Sequence, residues 1–221
     1  MNRNMGAPER NWRRWTRNHE ARIILVAASL LILLSPVQEY WRHENILVAP
    51  TMVLLVFVAH AARPSNQLTF KLIPILGIAW LAAALYANVV RGAPIASAAV
   101  MLVLEMVVFV VVMRWVFEAR VPDPETLSAA LCGYLIIGAI GANIYSLVLQ
   151  ADPAAFSIPR PTKTTLLYFS LAAMSTLGYG DIAPVNSFAR MLAVTQAVSA
   201  QFYIATVIAR LVVIGNPSGD R

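Results

Sequence analysis

Six consecutive residues, Thr176-Leu177-Gly178-Tyr179-Gly180-Asp181, place two glycines one residue apart between two apolar stretches. Glycine enters left-handed dihedrals that a β-carbon resists, so Gly178 and Gly180 let the backbone alternate between ordinary and left-handed residues. Such a segment is neither helix nor strand, and its successive carbonyl oxygens turn toward one side. When four copies surround an axis, those oxygens can replace the hydration shell of a cation at nearly the same distance and number. The Thr176 hydroxyl adds oxygens at the inner end. Leu177 is expected to turn away into packing, and Tyr179 to turn its ring toward the wall behind the loop. Gly-Tyr-Gly-Asp alone would also suit a surface turn; the whole run between a short apolar helix and a long one is far more specific.

The elements that must hold this loop are apolar. Hydrophobic residues make up 59% of the 221-residue chain and charged residues 13%, against roughly 25% charged in a soluble domain. Crossing about 30 Å of hydrocarbon takes about 20 helical residues. Six stretches serve: 21–38, 46–62, 72–90, 93–117, 127–149 and 188–214. The fifth carries Gly133, Gly138 and Gly141, which suit close helix contact. The stretch 166–175 is too short to cross and is expected to be a re-entrant helix, tolerable at that depth because protein surrounds it. With the amino terminus inside, twelve of the 17 Lys and Arg lie on the inner side, the sense of the positive-inside rule. That orientation sets loop 176–181 near the outer face and both termini in the cytoplasm. The first stretch is expected to be retained, because Ser35-Pro36-Val37 is a poor cleavage site.

The run differs by one aliphatic residue from Thr-Val-Gly-Tyr-Gly, and it resembles the selectivity filter of the tetrameric potassium-channel pore family. The resemblance covers roughly 127–213 and is most specific over 168–184. Residues 168–175 resemble the pore helix, Tyr168 and Phe169 stand at the family's aromatic cuff, and Asp181, Pro184 and Val185 follow the filter as in the family. Tyr168-Phe169-Ser170 and Ala209-Arg210-Leu211 are similar to a group of small bacterial ion channels in particular. The resemblance implies K+ held by Thr176, Leu177, Gly178 and Tyr179, with Gly180 completing the filter and Asp181, Tyr168 and Phe169 supporting it. Two positions depart from the pattern. Ala172 stands where some members carry a buried Glu that pairs with the Asp after the filter, and Ala200 where many have a glycine hinge.

The expected fold is an all-α membrane protein with six transmembrane helices, a re-entrant pore helix and a filter. The chain shows no internal repeat, so one chain supplies one filter run and three identical subunits are needed to complete a homotetramer. Residues 1–20 form a basic cytoplasmic segment whose arginines and tryptophans suit either a helix on the anionic inner leaflet or a topogenic tail. Residues 21–120 form a four-helix membrane region of unknown role, 125–214 the pore domain, and 215–221 a short cytoplasmic tail. On the inner helix, Gln201, Ile204, Ala205, Ile208 and Val212 recur at three- and four-residue spacing and could line the cavity, with Ile208 and Val212 as a hydrophobic constriction. The alternative is that this stripe packs against neighbouring helices.

The fourth stretch has Arg114 and no arginine ladder, so it is not a typical voltage sensor. Glu105, costly in hydrocarbon, is either a pH-sensitive element or a hydrogen-bonded packing carboxyl; Arg114 lies half a turn out of phase and His60 too near the inner face to be its partner. Cys132 is a small packing residue. No phosphate loop, zinc site or nucleophile triad is visible, so an enzyme, a cofactor, a nucleotide site and nucleic-acid binding are not expected. The function expected is passive K+ conduction in a bacterial inner membrane, with the lipid bilayer and K+ as partners. The competing readings are a weakly selective cation channel and a non-conducting scaffold or regulatory subunit.

Overall fold

The computed structural model describes residues 20–40 and 94–215. The expected spans 46–62 and 72–90, His60, the basic segment before residue 20 and the tail after residue 215 lie outside them. The described chain folds into five helices: α1 Glu20–Tyr40, α2 Pro94–Glu118, α3 Pro124–Ala151, α4 Lys163–Met174 and α5 Ser187–Gly215. Among the described residues, three stretches are long and apolar enough to cross a membrane: Ala98–Glu118 of α2, all of α3 and all of α5. Helix α4 has 12 residues and so extends about 18 Å, well short of the hydrocarbon thickness.

The helix ends follow from capping residues. Asp123 accepts from Thr126 N at 2.8 Å with Pro124 just behind it, so α3 starts three residues before its apolar run. Thr162 accepts from Thr165 N at 3.1 Å, which starts α4 at Lys163 rather than at 166. Within α1, Pro36 has no N–H to offer the Ile32 carbonyl four residues back. Ser35 Oγ donates to that carbonyl at 2.8 Å instead. Helix α1 runs alongside α3 and parallel to it: Arg22 pairs with Glu125 at 3.1 Å near one end, and Thr164 Oγ1 donates to Ser35 O at 3.3 Å near the other.

Two apolar clusters hold the bundle. Leu104, Val108, Val112 and Val116 recur every fourth residue along α2 and bury against Ala129, Ala130 and Cys132 of α3 and Val207 of α5. The second cluster sits at the opposite end of α3, where Tyr145, Phe156 and Phe169 meet edge-on with centroids 5.0 to 5.8 Å apart. Each cluster is closed by a polar link between helix ends. At the first, Arg210 Nη2 of α5 donates to Phe117 O at 2.8 Å and Ala119 O at 3.0 Å, taking carbonyls that the end of α2 leaves without helical partners. At the second, Asn186 Nδ2 donates to Asp152 Oδ2 at 2.6 Å while its Oδ1 accepts from Ala189 N at 2.7 Å, so one side chain ties the end of α3 to the start of α5.

Candidate ion-conduction site

The loop that leaves α4 begins by prolonging the helix. Thr176 N and Leu177 N still donate to Ala173 O and Ala172 O, at 3.2 and 2.9 Å. The backbone then alternates: Thr176, Gly178 and Gly180 have φ of +58°, +57° and +82°. Every second residue from 176 to 180 is therefore left-handed, which turns successive carbonyls to one side. The glycines adopt this freely, whereas Thr176, β-branched, pays about 1–3 kcal/mol for it. Among the described residues no atom lies within 4 Å of a Cβ built on Gly178 or Gly180, so from them dihedral strain alone would oppose a side chain there. The α4 carboxyl end leads into this loop, and its partial negative charge favours a cation there.

Tyr168 Oη donates to Asp181 Oδ1 at 3.1 Å, and the Tyr168 and Tyr179 rings stack at 6.3 Å. Beyond the loop, Ile182 is buried. Ser157 N donates to Ala183 O, Ser157 Oγ accepts from Ala183 N, and Val185 N donates to Ala155 O, at 2.8, 2.9 and 2.7 Å. The exit of the loop is thus strapped to the α3–α4 connection. One expectation needs correction. Phe169 does not stand with Tyr168 beside the filter: adjacent helical residues diverge by about 100°, and Phe169 is buried in the aromatic cluster with Tyr145 and Phe156. Leu177 is 55% exposed, with no cover from the described residues of its own chain.

Behind α4 lies a polar chain that the sequence did not suggest. Tyr145 Oη donates to Gln196 Oε1, Gln196 Nε2 to Ser170 Oγ at 2.6 Å, and Ser170 Oγ to Gly138 O at 2.6 Å. The available signal was Gln196 itself, a polar residue in an apolar span that must find a partner. Lower on α5, Gln201 Nε2 donates to Met174 O at 3.2 Å. Gln201, Ala205, Ile208 and Val212 are exposed in the single chain, Ile204 is half-buried, and Ala200 is fully buried. Glu105, 3% exposed, lies away from the loop on α2, where its Oε2 accepts from Asn143 Nδ2 of α3 at 3.0 Å. Arg114 pairs instead with Glu118 at 2.9 Å.

No curated protein and no solved structure showed a significant match to the chain. Residues 129–215, from the first turns of α3 to the last residue of α5, match a family model described as ion channel. Over that stretch the chain is similar to ion channels, and among the described residues three helices are long and apolar enough to cross a membrane.

Proposed function

We propose that this chain is one of four identical subunits of a potassium-selective channel that conducts K+ passively through a central filter formed by Thr176–Gly180. The observation that carries this reading is the alternation of left-handed residues at 176, 178 and 180 in a loop fed by a half-span helix. A row of carbonyls on one side is of use only if other oxygens complete the shell around the ion, and four copies do so. Leu177, 55% exposed, and Tyr179, 68% exposed, then find cover on neighbouring subunits, as does the apolar surface of α5 at Phe188, Met191 and Phe202.

The six-span layout is part of the same proposal. Helix α1 ends near α4 on the filter side, and α2 ends beside Arg210 on the opposite side. The end of α1 and the start of α2 therefore lie on the same, filter side of the described bundle, which supports an even number of further crossings between them, two in this reading. The positive-inside balance sets that side outside the cell and both termini in the cytoplasm of a bacterial inner membrane. The test is the reversal potential of the purified, reconstituted chain with K+ on one side and Na+ on the other. A value near the K+ equilibrium potential, with current blocked by barium, is expected. A value near zero would leave a pore without selectivity, and the absence of current from an Ile208→Ser chain would favour a non-conducting subunit.

A further inference from the structure

The inner helix α5 grips the pore helix α4 at two points. The upper grip is the buried Ser170, 0% exposed, which accepts from Gln196 and donates to Gly138 O. The hydrogen bonds run in one sense, from Tyr145 through Gln196 and Ser170 back to α3, so no polar atom of the chain competes for a second donor. A Cβ on Gly141 would collide with the Gln196 amide and stand 2.6 Å from Ser170 Oγ, so the glycine leaves the room the amide occupies. The lower grip is Gln201 on the Met174 carbonyl, two residues before Thr176. The two grips are spaced alike: four residues on α4 rise about 6 Å and five on α5 about 7.5 Å. Apolar contacts tolerate sliding by fractions of a turn, whereas a satisfied buried polar link fixes register.

Resting on the channel reading, we infer that Gln196 is a positioning residue for ion selection. Acting through Ser170, and together with Gln201, it locks the register of α4 on α5 and thereby holds Thr176–Gly180 in the alternating conformation. A shift of α5 is passed to Thr176, the one strained non-glycine residue of the loop.

The experiment measures hydrogen exchange of the full chain in lipid with K+, comparing amides 175–180 with those of α2. Gln196→Met, similar in length and without the amide, and Ser170→Ala are each expected to speed exchange at 175–180 about tenfold, as loss of a buried hydrogen bond does, with α2 unchanged. The double variant is expected to match the singles, because either change already breaks the link. Tyr145→Phe keeps the aromatic cluster and is expected to act in the same direction, more weakly. In the same proteins the reversal potential is expected to move toward zero. Unchanged exchange at 175–180 in Gln196→Met, or additive effects in the double variant, overturns the inference; if that variant does not fold, unchanged exchange in Tyr145→Phe does so. A wild type without selective current sinks the channel reading, and the exchange rates still decide the register.

Discussion

Tyr168 and Tyr179 lie face to face, with ring planes 11° apart, and the Tyr168 hydroxyl reaches past the stack to Asp181 Oδ1. One α4 side chain thus holds the loop twice, through its ring at Tyr179 and through its hydroxyl two residues later. The two holds can be separated.

Tyr168→Phe keeps the stack and removes only the hydrogen bond, while Asp181→Asn also removes the charge beside the loop. Both are expected to shorten channel openings to a similar extent. Only Asp181→Asn is expected to lower unitary conductance at low ionic strength, with the difference closing at high salt as the charge is screened. Equal conductance of the two variants at every ionic strength would leave Asp181 a purely structural role.

Arg210 joins the end of α5 to the carbonyls that end α2. Hydrogen bonds from a charged donor contribute about 1.5–3 kcal/mol, whereas an exposed pair four residues apart, such as Arg114–Glu118, contributes about 0.3–0.5 kcal/mol. Arg210→Gln is therefore expected to lower the thermal midpoint in detergent clearly more than Arg114→Gln. Arg210→Lys should fall between them, because an ammonium lacks the planar fork that spans two carbonyls. The reverse order would remove the link from the stability of the bundle.

Asp152 sits just outside the span of α3. The Asn186 amide, and after it the Ala154 N–H, hold its carboxyl below the ordinary value of 3.8. A group whose folded pKa is depressed contributes fully above its unfolded value and loses that contribution as pH falls through the folded one. The stability gap between the wild type and Asp152→Ala is thus expected to stay constant from about pH 7 to about pH 5 and to close only below the ordinary carboxylate range. Thermal midpoints across that series read it directly; a gap that closed between pH 7 and 5 would point to another group.

How far the fold could be read depended on the kind of signal. Long apolar runs located α2, α3 and α5, with α2 and α5 within a residue at each end, but α3 starts three residues earlier because Asp123 caps it before its apolar run starts, and Thr162 does the same for the shorter α4. The glycine pair announced the alternation of the loop; the left-handed Thr176 had no sequence mark, because no local preference favours a β-branched residue there. Tyr168 and Phe169, adjacent in sequence, part in space by helical geometry. The Tyr145–Gln196–Ser170 chain depends on where three helices cross, which no periodicity reports. Asn143, the partner of Glu105, lies 38 positions along the chain and could be found only once α2 and α3 were packed.

Helix α5 offers the sharpest test of a gate. Gln201, Ala205, Ile208 and Val212 lie open in the single chain, with Ile208 56% and Val212 63% exposed. In a four-fold assembly, a ring of isoleucines above a ring of valines makes a constriction from which water withdraws, and a dewetted constriction stops ions without being physically shut. A hydroxyl in place of the Ile208 side chain both widens and wets that ring, so Ile208→Ser is expected to raise resting conductance. Val213, 65% exposed, is equally open but lies about 140° around the helix from Ile208. Val213→Ser therefore controls for lost apolar surface and is expected to leave resting conductance unchanged. Equal behaviour of the two variants would place the gate elsewhere and turn attention to the filter.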